Sequence, residues 1–291
     1  MTDKSLTLKR IFIFLFFAFV PPWIMQFIYI AVIGCDVNTN YYRLLASVSM
    51  LFPAVGNFLA RIITKEGFQK SYLKLNLKGN IKYYFSAVLI PVIYYFITAF
   101  VISIGYMPTG STSEILHNAN YFHIFSASIY IISLSLLDCT ITFGEEFGWR
   151  GYLTPKLEEL FKKPAAYLIS GLIWGLWHAP AIAIGHNFGT DYKFYPYSGI
   201  LLMCIFCVFV GTFFSILTEK TKSVFPSTLA HAMNNDFSNI IYVILMASSN
   251  PANEIPLEAM FTVICIVVTI TSVLILKFSN NSNHKYSYTR S

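Results

Sequence analysis

Eight apolar runs divide this sequence, at approximately 11–34, 44–60, 83–106, 122–147, 165–185, 198–217, 224–247 and 258–276. Runs of about 18 residues or more have the length an α-helix needs to cross ~30 Å of hydrocarbon; the run at 44–60 is the shortest of the set. Composition points the same way. Of 291 residues 56% are hydrophobic and only 12% charged, against about 25% charged in soluble domains, and the mean hydropathy is +0.60. The expectation is an all-α integral membrane protein, a bundle of about eight transmembrane helices. Several runs contain proline (Pro21, Pro22, Pro53, Pro91, Pro180, Pro226), which membrane helices tolerate because neighbouring groups satisfy the freed backbone.

Charge supplies an independent test of this parse. With eight spans, the termini and the even-numbered connections lie on one side of the bilayer. That side collects 18 of the 20 lysines and arginines, leaving only Arg43 and Lys193 opposite. Basic residues concentrate on the cytosolic side, so both termini are expected in the cytosol. The net charge of +6 then marks orientation and contact with the lipid bilayer. Outside the short loops there is no basic patch to bind nucleic acid, and no nucleic-acid partner is expected. The basic start and VIGC at Val32–Cys35 resemble a signal with a lipoprotein cleavage box, but the first run is long for a signal, contains Pro21 and Pro22, and reads as a retained span. The five cysteines are scattered through apolar runs, which argues against a disulfide framework. Cys204 and Cys207 form a C-x-x-C within LLMCIFCVFVG, with no surrounding pattern that suits redox or metal chemistry.

Three parts follow: residues 1–120, with about three spans and a basic loop; residues 121–247, which hold the polar groups described next; and residues 248–291, a last span and a polar tail. Within the loop after Arg61, Lys70, Lys74, Lys78 and Lys82 recur at helical spacing, so this segment reads either as an interfacial helix on anionic lipid or as a plain basic loop.

Ionisable and polar residues inside a span cost ~2.5–3.5 kcal/mol each when charged at its centre, and so mark candidate sites. Three groups stand out. Glu145, Glu146 and Arg150 close the fourth run in GEEFGWR, His178 lies in WGLWHAP, and His231 with Asn234, Asn235 and Asp236 lies in HAMNND. Glu146 and Arg150 are i,i+4 and share a helix face, whereas Glu145 points about 100° away and is free to face something else. His231 and Asn235 are again i,i+4. Trp174 sits one turn before His178, and Gly171 and Gly175 offer a small-xxx-small face for close approach of another helix. Convergence of Glu145, His178, His231 and Asn235 in one cavity would set a carboxylate and an imidazole to hold and deprotonate a water. A second imidazole and an amide would stand ready for an oxyanion. That chemistry suits hydrolysis of a peptide bond in or near the membrane.

The three motifs resemble, in order, those of the CPBP (CAAX protease and bacteriocin-processing, or Abi) family, related to the type II CAAX prenyl endopeptidases. GEEFGWRGYL resembles its E-E-x-x-x-R motif, WGLWH its aromatic-x-x-x-His motif, and HAMNN its H-x-x-x-N motif. The likeness covers roughly Ser126 to Val243. It implies an intramembrane endopeptidase in which Glu145 and His178 activate water, Glu146 and Arg150 fix the helix and orient Glu145, and His231 and Asn235 stabilise the oxyanion. The substrate would be a hydrophobic or membrane-anchored peptide or protein, with no cofactor. Trp174 departs from the commoner Phe, and Asp236 adds a charge with no assigned purpose. The family also includes bacterial members assigned non-catalytic roles, so a bacteriocin-immunity factor or a scaffold for a membrane sensor is the alternative. Two His and two Glu suggest Zn²⁺ as a mechanistic rival, without HExxH spacing to support it. A residue usage rich in Asn, Ile, Phe, Tyr and Lys suggests an A·T-rich bacterial genome, and hence the bacterial cytoplasmic membrane.

Four readings carry their own tests. Counting along straight spans puts His178 on the order of 10 Å deeper than Glu145, a mismatch that a helix continuing through Arg150 or a break near Pro180 would remove. Asp138, two turns before Glu145, is expected to pair with a hydroxyl such as Thr142 or else to line the same cavity. His117, His123, His186 and His284 are expected to be solvated. The tail from Ser279 is expected to be disordered.

Overall fold

The computed structural model describes residues 3–106 and 121–246, together with positions 263, 264, 266, 267 and 270. Among the described residues every regular element is helical, without strands. In chain order the helices are α1 (Asp3–Val32), α2 (Asn40–Ser49), α3 (Phe52–Ile63), α4 (Ile81–Tyr106) and α5 (Tyr121–Gly148), which runs into a π-helical turn (Trp149–Leu153) and α6 (Thr154–Glu158). Then follow α7 (Lys163–Trp177), α8 (Ala179–Ile182), α9 (Tyr197–Thr221), α10 (Phe225–Phe237) and α11 (Ile240–Met246).

α1 shows how an apolar sequence specifies a two-sided helix. Thr7, Ile11, Phe14, Ala18, Pro22, Gln26 and Tyr29 form its buried seam, spaced three or four residues apart as one helix face requires. The opposite face carries Leu8, Phe12, Phe16, Val20, Ile24 and Phe27, all exposed. In water this would be an untenable apolar surface; against lipid tails it is the ordinary outer face of a membrane helix.

Among the described residues five segments are long and apolar enough to cross a bilayer: Asp3–Val32, Asn40–Ile63, Ile81–Ile102, Tyr121–Glu158 and Tyr197–Thr221. The second joins α2 and α3 across a bend at Met50–Leu51, with Pro53 in the first turn of α3. The runs expected at 165–185 and 224–247 are each divided instead. α7 stops after 15 residues at Trp177, and Pro180 enters the first turn of the short α8. α10 gives way to α11 at Ser238–Asn239. The run at 258–276 and the tail from Ser279 lie almost wholly outside the described residues.

The core sits where α7 packs on α9, α10 on α4 and α5, and α3 on α1 and α5. Backbone approach at glycines sets two of these contacts. A Cβ on Gly171 or Gly175 would overlap the backbone at Val208 or Cys204 of α9, and one on Gly148 would overlap Pro53 of α3. The small-residue face of α7 therefore meets another helix as its spacing predicts. Between Thr64 and Asn80 there is no helix, so Lys70, Lys74 and Lys78 lie on a non-helical loop. The interfacial helix is not formed; left-handed backbone at Lys65, Tyr72 and Asn76 is incompatible with a continuous helix there.

Candidate active site

The π-turn gives the site its geometry. A wider i→i+5 turn, with Thr154 N–H donating to the Trp149 carbonyl, re-aims the side chains around it and leaves nearby carbonyls needing donors. α3 provides them. Asn57 Nδ2 donates to the Phe147 carbonyl (2.7 Å), and Arg61 donates through Nε to Asn57 Oδ1 (2.6 Å) and through Nη2 to the Gly151 carbonyl (3.4 Å). Asn57 and Arg61 are buried. In sequence Arg61 is one more basic residue at the end of an apolar run, and the signal for its role was Asn57, an amide one turn before it inside that run.

Glu145 and Glu146, both buried, separate as helical geometry requires. Glu146 Oε1 accepts from Arg150 Nη1 at 2.9 Å and lies 2.8 Å from His231 Nδ1. The Arg150 guanidinium lies over the Trp174 ring, 4.1 Å from its centre, and 5.2 Å from that of Phe214. Its space depends on Gly211, where a Cβ would meet Arg150 Nη2. Glu145 turns the other way. Its Oε2 accepts the indole N–H groups of Trp149 (3.1 Å) and Trp174 (2.5 Å), so Oε1 is the oxygen these bonds leave unengaged. Two neutral donors thus hold one carboxylate oxygen in place.

His178 is the residue at which α7 ends. Its Nδ1 is 2.9 Å from the Trp174 carbonyl. Since a carbonyl only accepts, Nδ1 carries the proton, and Nε2 of the neutral ring is left as an acceptor. His231 packs edge-on to Trp174 (5.3 Å between ring centres) and flat on Phe214 (5.5 Å). Asn234 is held by hydroxyls of α4: Tyr94 and Tyr95 both donate to its Oδ1, and Tyr95 also reaches its carbonyl at 2.8 Å. Asn234 Nδ2 then donates to Asn235 Oδ1 (3.2 Å), which turns the Asn235 amide nitrogen outward from that bond.

Glu145, His178, His231 and Asn235 line one cavity of about 410 Å³. The expected depth mismatch disappears because the helix carrying Glu145 continues to Glu158. Glu145 lies thirteen residues before Glu158 and His178 fifteen after Lys163, about 20 and 23 Å of helix at 1.5 Å per residue, measured from ends joined by a four-residue turn. Glu146 and Arg150 sit behind the cavity wall, tied to His231.

Two other expectations end differently. Thr142 Oγ1 bonds the main-chain carbonyls of Asp138 and Thr228, while the Asp138 side chain meets Asp236, whose carboxyl also bonds Ser135. The i,i+4 hydroxyl of Thr142 is taken up by backbone, so the two carboxyls face each other instead. His186 lines the cavity with its ring against Tyr42; the loop after α8 folds back over the site rather than into solvent. His123 is exposed, and His117 and His284 lie outside the described residues. Cys35, Cys139, Cys204 and Cys207 are free thiols. Among the described residues no group of three or more His, Cys, Asp or Glu is placed to hold a metal ion.

Fold and site together define a multi-pass helical membrane protein with a buried carboxylate–imidazole cluster at the centre of its bundle. Comparison with known proteins gives that class a family. Residues 126–237 match the family described as type II CAAX prenyl endopeptidase Rce1-like, a span that contains all three motifs, so this part of the chain is similar to the CAAX proteases. CAAX prenyl protease 2 of Methanococcus maripaludis is 28% identical over 82 residues, which is 28% of this chain and 29% of that protein. The match thus spans under a third of the relative's length. The family is one of proteases.

Proposed function

We propose that this protein is an intramembrane endopeptidase of eight spans with cytosolic termini, which hydrolyses a peptide bond of a hydrophobic or membrane-anchored peptide in a bacterial cytoplasmic membrane. The observation that carries the reading is the orientation of two groups around one cavity: Glu145 anchored through Oε2 and His178 anchored through Nδ1. Their remaining atoms, Glu145 Oε1 and His178 Nε2, suit a water held between them. In the reaction the water oxygen attacks the substrate carbonyl carbon as its proton passes to Glu145. The carbonyl oxygen becomes an oxyanion, which the Asn235 amide and the Nε2–H of a protonated His231 stabilise. Glu146, already bonded to His231 Nδ1, supports the positive charge on that ring. Collapse breaks the C–N bond, and the proton returns to the departing amine.

Glu146 and Arg150 are positioning residues here. They fix the turn after Glu145 and the orientation of the His231 ring without reaching the substrate. The experiment is incubation of the purified protein in nanodiscs with hydrophobic and lipidated peptides, with and without a chelator, and with products read by mass spectrometry. Chelator-insensitive cleavage at defined bonds supports the reading. Chelator-sensitive cleavage moves the mechanism to Zn²⁺ or another metal, and absence of cleavage across the whole set favours an immunity or scaffold role.

A further inference from the structure

The cavity extends well past the cluster that would carry out hydrolysis. Beyond Met50 it continues between α1 and α2, where Gln26, Tyr42 and Ser49 line it. Neither the motifs nor the reaction uses these residues. Gln26 is 5% exposed and Ser49 1%, and Gln26 Oε1 and Ser49 Oγ have no hydrogen-bond partner among the described residues. The behaviour of Ser49 is unusual for this protein. Ser47, Ser86, Ser128, Ser133 and Ser135 each donate to the carbonyl four residues earlier, the usual way a helical serine satisfies itself. Ser49 makes no such bond.

A buried polar atom without a partner costs about 1–3 kcal/mol, and a glutamine on an otherwise apolar membrane helix adds an insertion cost of its own. Leucine and alanine would fill these places more cheaply unless something else completes the bonds. Among the described residues the lining carries no Lys, Arg or Asp, and Glu145 is its sole acidic residue, so the occupant of this arm is uncharged. A cavity of about 410 Å³ exceeds many times the ~30 Å³ share of one water and falls in the range of small-ligand sites, ~300–1,000 Å³. An extended peptide main chain is the uncharged group that presents both a donor and an acceptor at every residue.

We infer that Gln26 and Ser49 form a substrate subsite that holds the main chain of an uncharged peptide segment beside Glu145. Gln26 Oε1 accepts an amide N–H, and Ser49 Oγ donates to a carbonyl of the same segment. The neighbouring walls from Tyr42 and Leu45 take the side chains, and a charged residue there is refused for want of a partner. This rests on the endopeptidase reading and specifies how its substrate is held.

The test uses the full-length protein carrying Glu145→Gln, in nanodiscs, with N-acetyl nonapeptide amides of Ala, Leu, Val and Ser bearing one photoleucine. Cross-links are mapped by mass spectrometry. The expected result is labelling on the α1 and α2 wall, around Gln26 and between Tyr42 and Met50. Labelling there should fall roughly fivefold in Gln26→Leu and in Ser49→Ala, the factor equivalent to one net hydrogen bond, and on placing a lysine beside the photoleucine. Cross-links confined to Trp174–His178 and His231–Asn235, or a yield on α1 and α2 unchanged in both variants, would overturn the subsite and leave the endopeptidase reading standing. Labelling of α1 and α2 by a protein whose Glu145 form cleaves none of these peptides would keep the subsite and count against the hydrolytic role. Cross-links only on the lipid-facing residues of α1 would overturn both.

Discussion

Trp174 shows how one side chain can serve two neighbouring charges. Its ring face lies under the Arg150 guanidinium while its N–H reaches Glu145 Oε2, so the same indole steadies the arginine that pairs with Glu146 and the carboxylate proposed as the base. Trp174→Phe separates the two duties, because a phenyl ring keeps the face and loses the donor. A hydrogen bond to a charged group contributes about 1.5–3 kcal/mol, which predicts a kcat at least about tenfold lower with thermal stability little changed. Equal kcat in the two proteins would show that the indole N–H does not position Glu145. The motif residues were legible at this scale because helix periodicity alone separates Glu145 from Glu146 and joins Glu146 to Arg150. The partners of Glu145 were not: Trp174 read as the motif's aromatic beside His178, and its N–H finds Glu145 only once α5 and α7 meet, while Trp149, one turn after Glu145 on the same helix, drew no notice. Gln26 was visible as a lone amide in an apolar run, but its place on the cavity wall depends on a bend between α2 and α3.

Among the elements, the π-turn and its support from α3 decide whether the site exists. Asn57→Leu would leave the Phe147 carbonyl and Arg61 Nε without the bonds they make now. A loss of about 1–3 kcal/mol for each buried group left unpaired predicts a lower midpoint of thermal unfolding in detergent. Peptide cleavage should fall by more than stability explains, since the turn after Glu145 and Glu146 loses its anchor. Asn57→Asp, which keeps the acceptor for Arg61, should recover stability better than activity; full activity in Asn57→Leu would show that α3 does not position the turn. The long apolar helices were legible from run length. The divided ones were not, because α7 and α8 together make a run as apolar as any true span. The break at His178 is set by Pro180 and by packing of Gly171 and Gly175 on α9, not by a change in hydropathy. Register of the loop from Thr64 to Asn80 was equally hidden: lysines at four-residue spacing fit a helix, yet Arg61 draws the Gly67 and Lys70 carbonyls inward (2.9 and 3.0 Å) and winds the chain around itself.

At the scale of the whole molecule, that loop joins α1 to the end of the long central helix. Glu66 lies 2.7 Å from Lys156, 3.3 Å from Arg10 and 4.0 Å from Arg61, an ion network on the face where the basic residues collect. The proposed orientation puts this face in the cytosol and the loop bearing Lys193 outside. Lys74 and Lys193 are both exposed, so cysteines at these positions, in a background lacking the native thiols, report sidedness directly. In intact cells an impermeant maleimide should label Lys193→Cys and spare Lys74→Cys until the membrane is opened; the reverse would invert the topology. The central claim is nevertheless chemical, that water activated by Glu145 cuts a peptide bond. It is tested most directly by incubating wild type and Glu145→Gln side by side in nanodiscs, in ¹⁸O-labelled water, with a peptide that wild type cleaves. Loss of the general base predicts a rate lower by on the order of 10²–10⁴-fold, with label from water in the new carboxylate of the wild-type product. Equal rates for the two proteins would contradict the account.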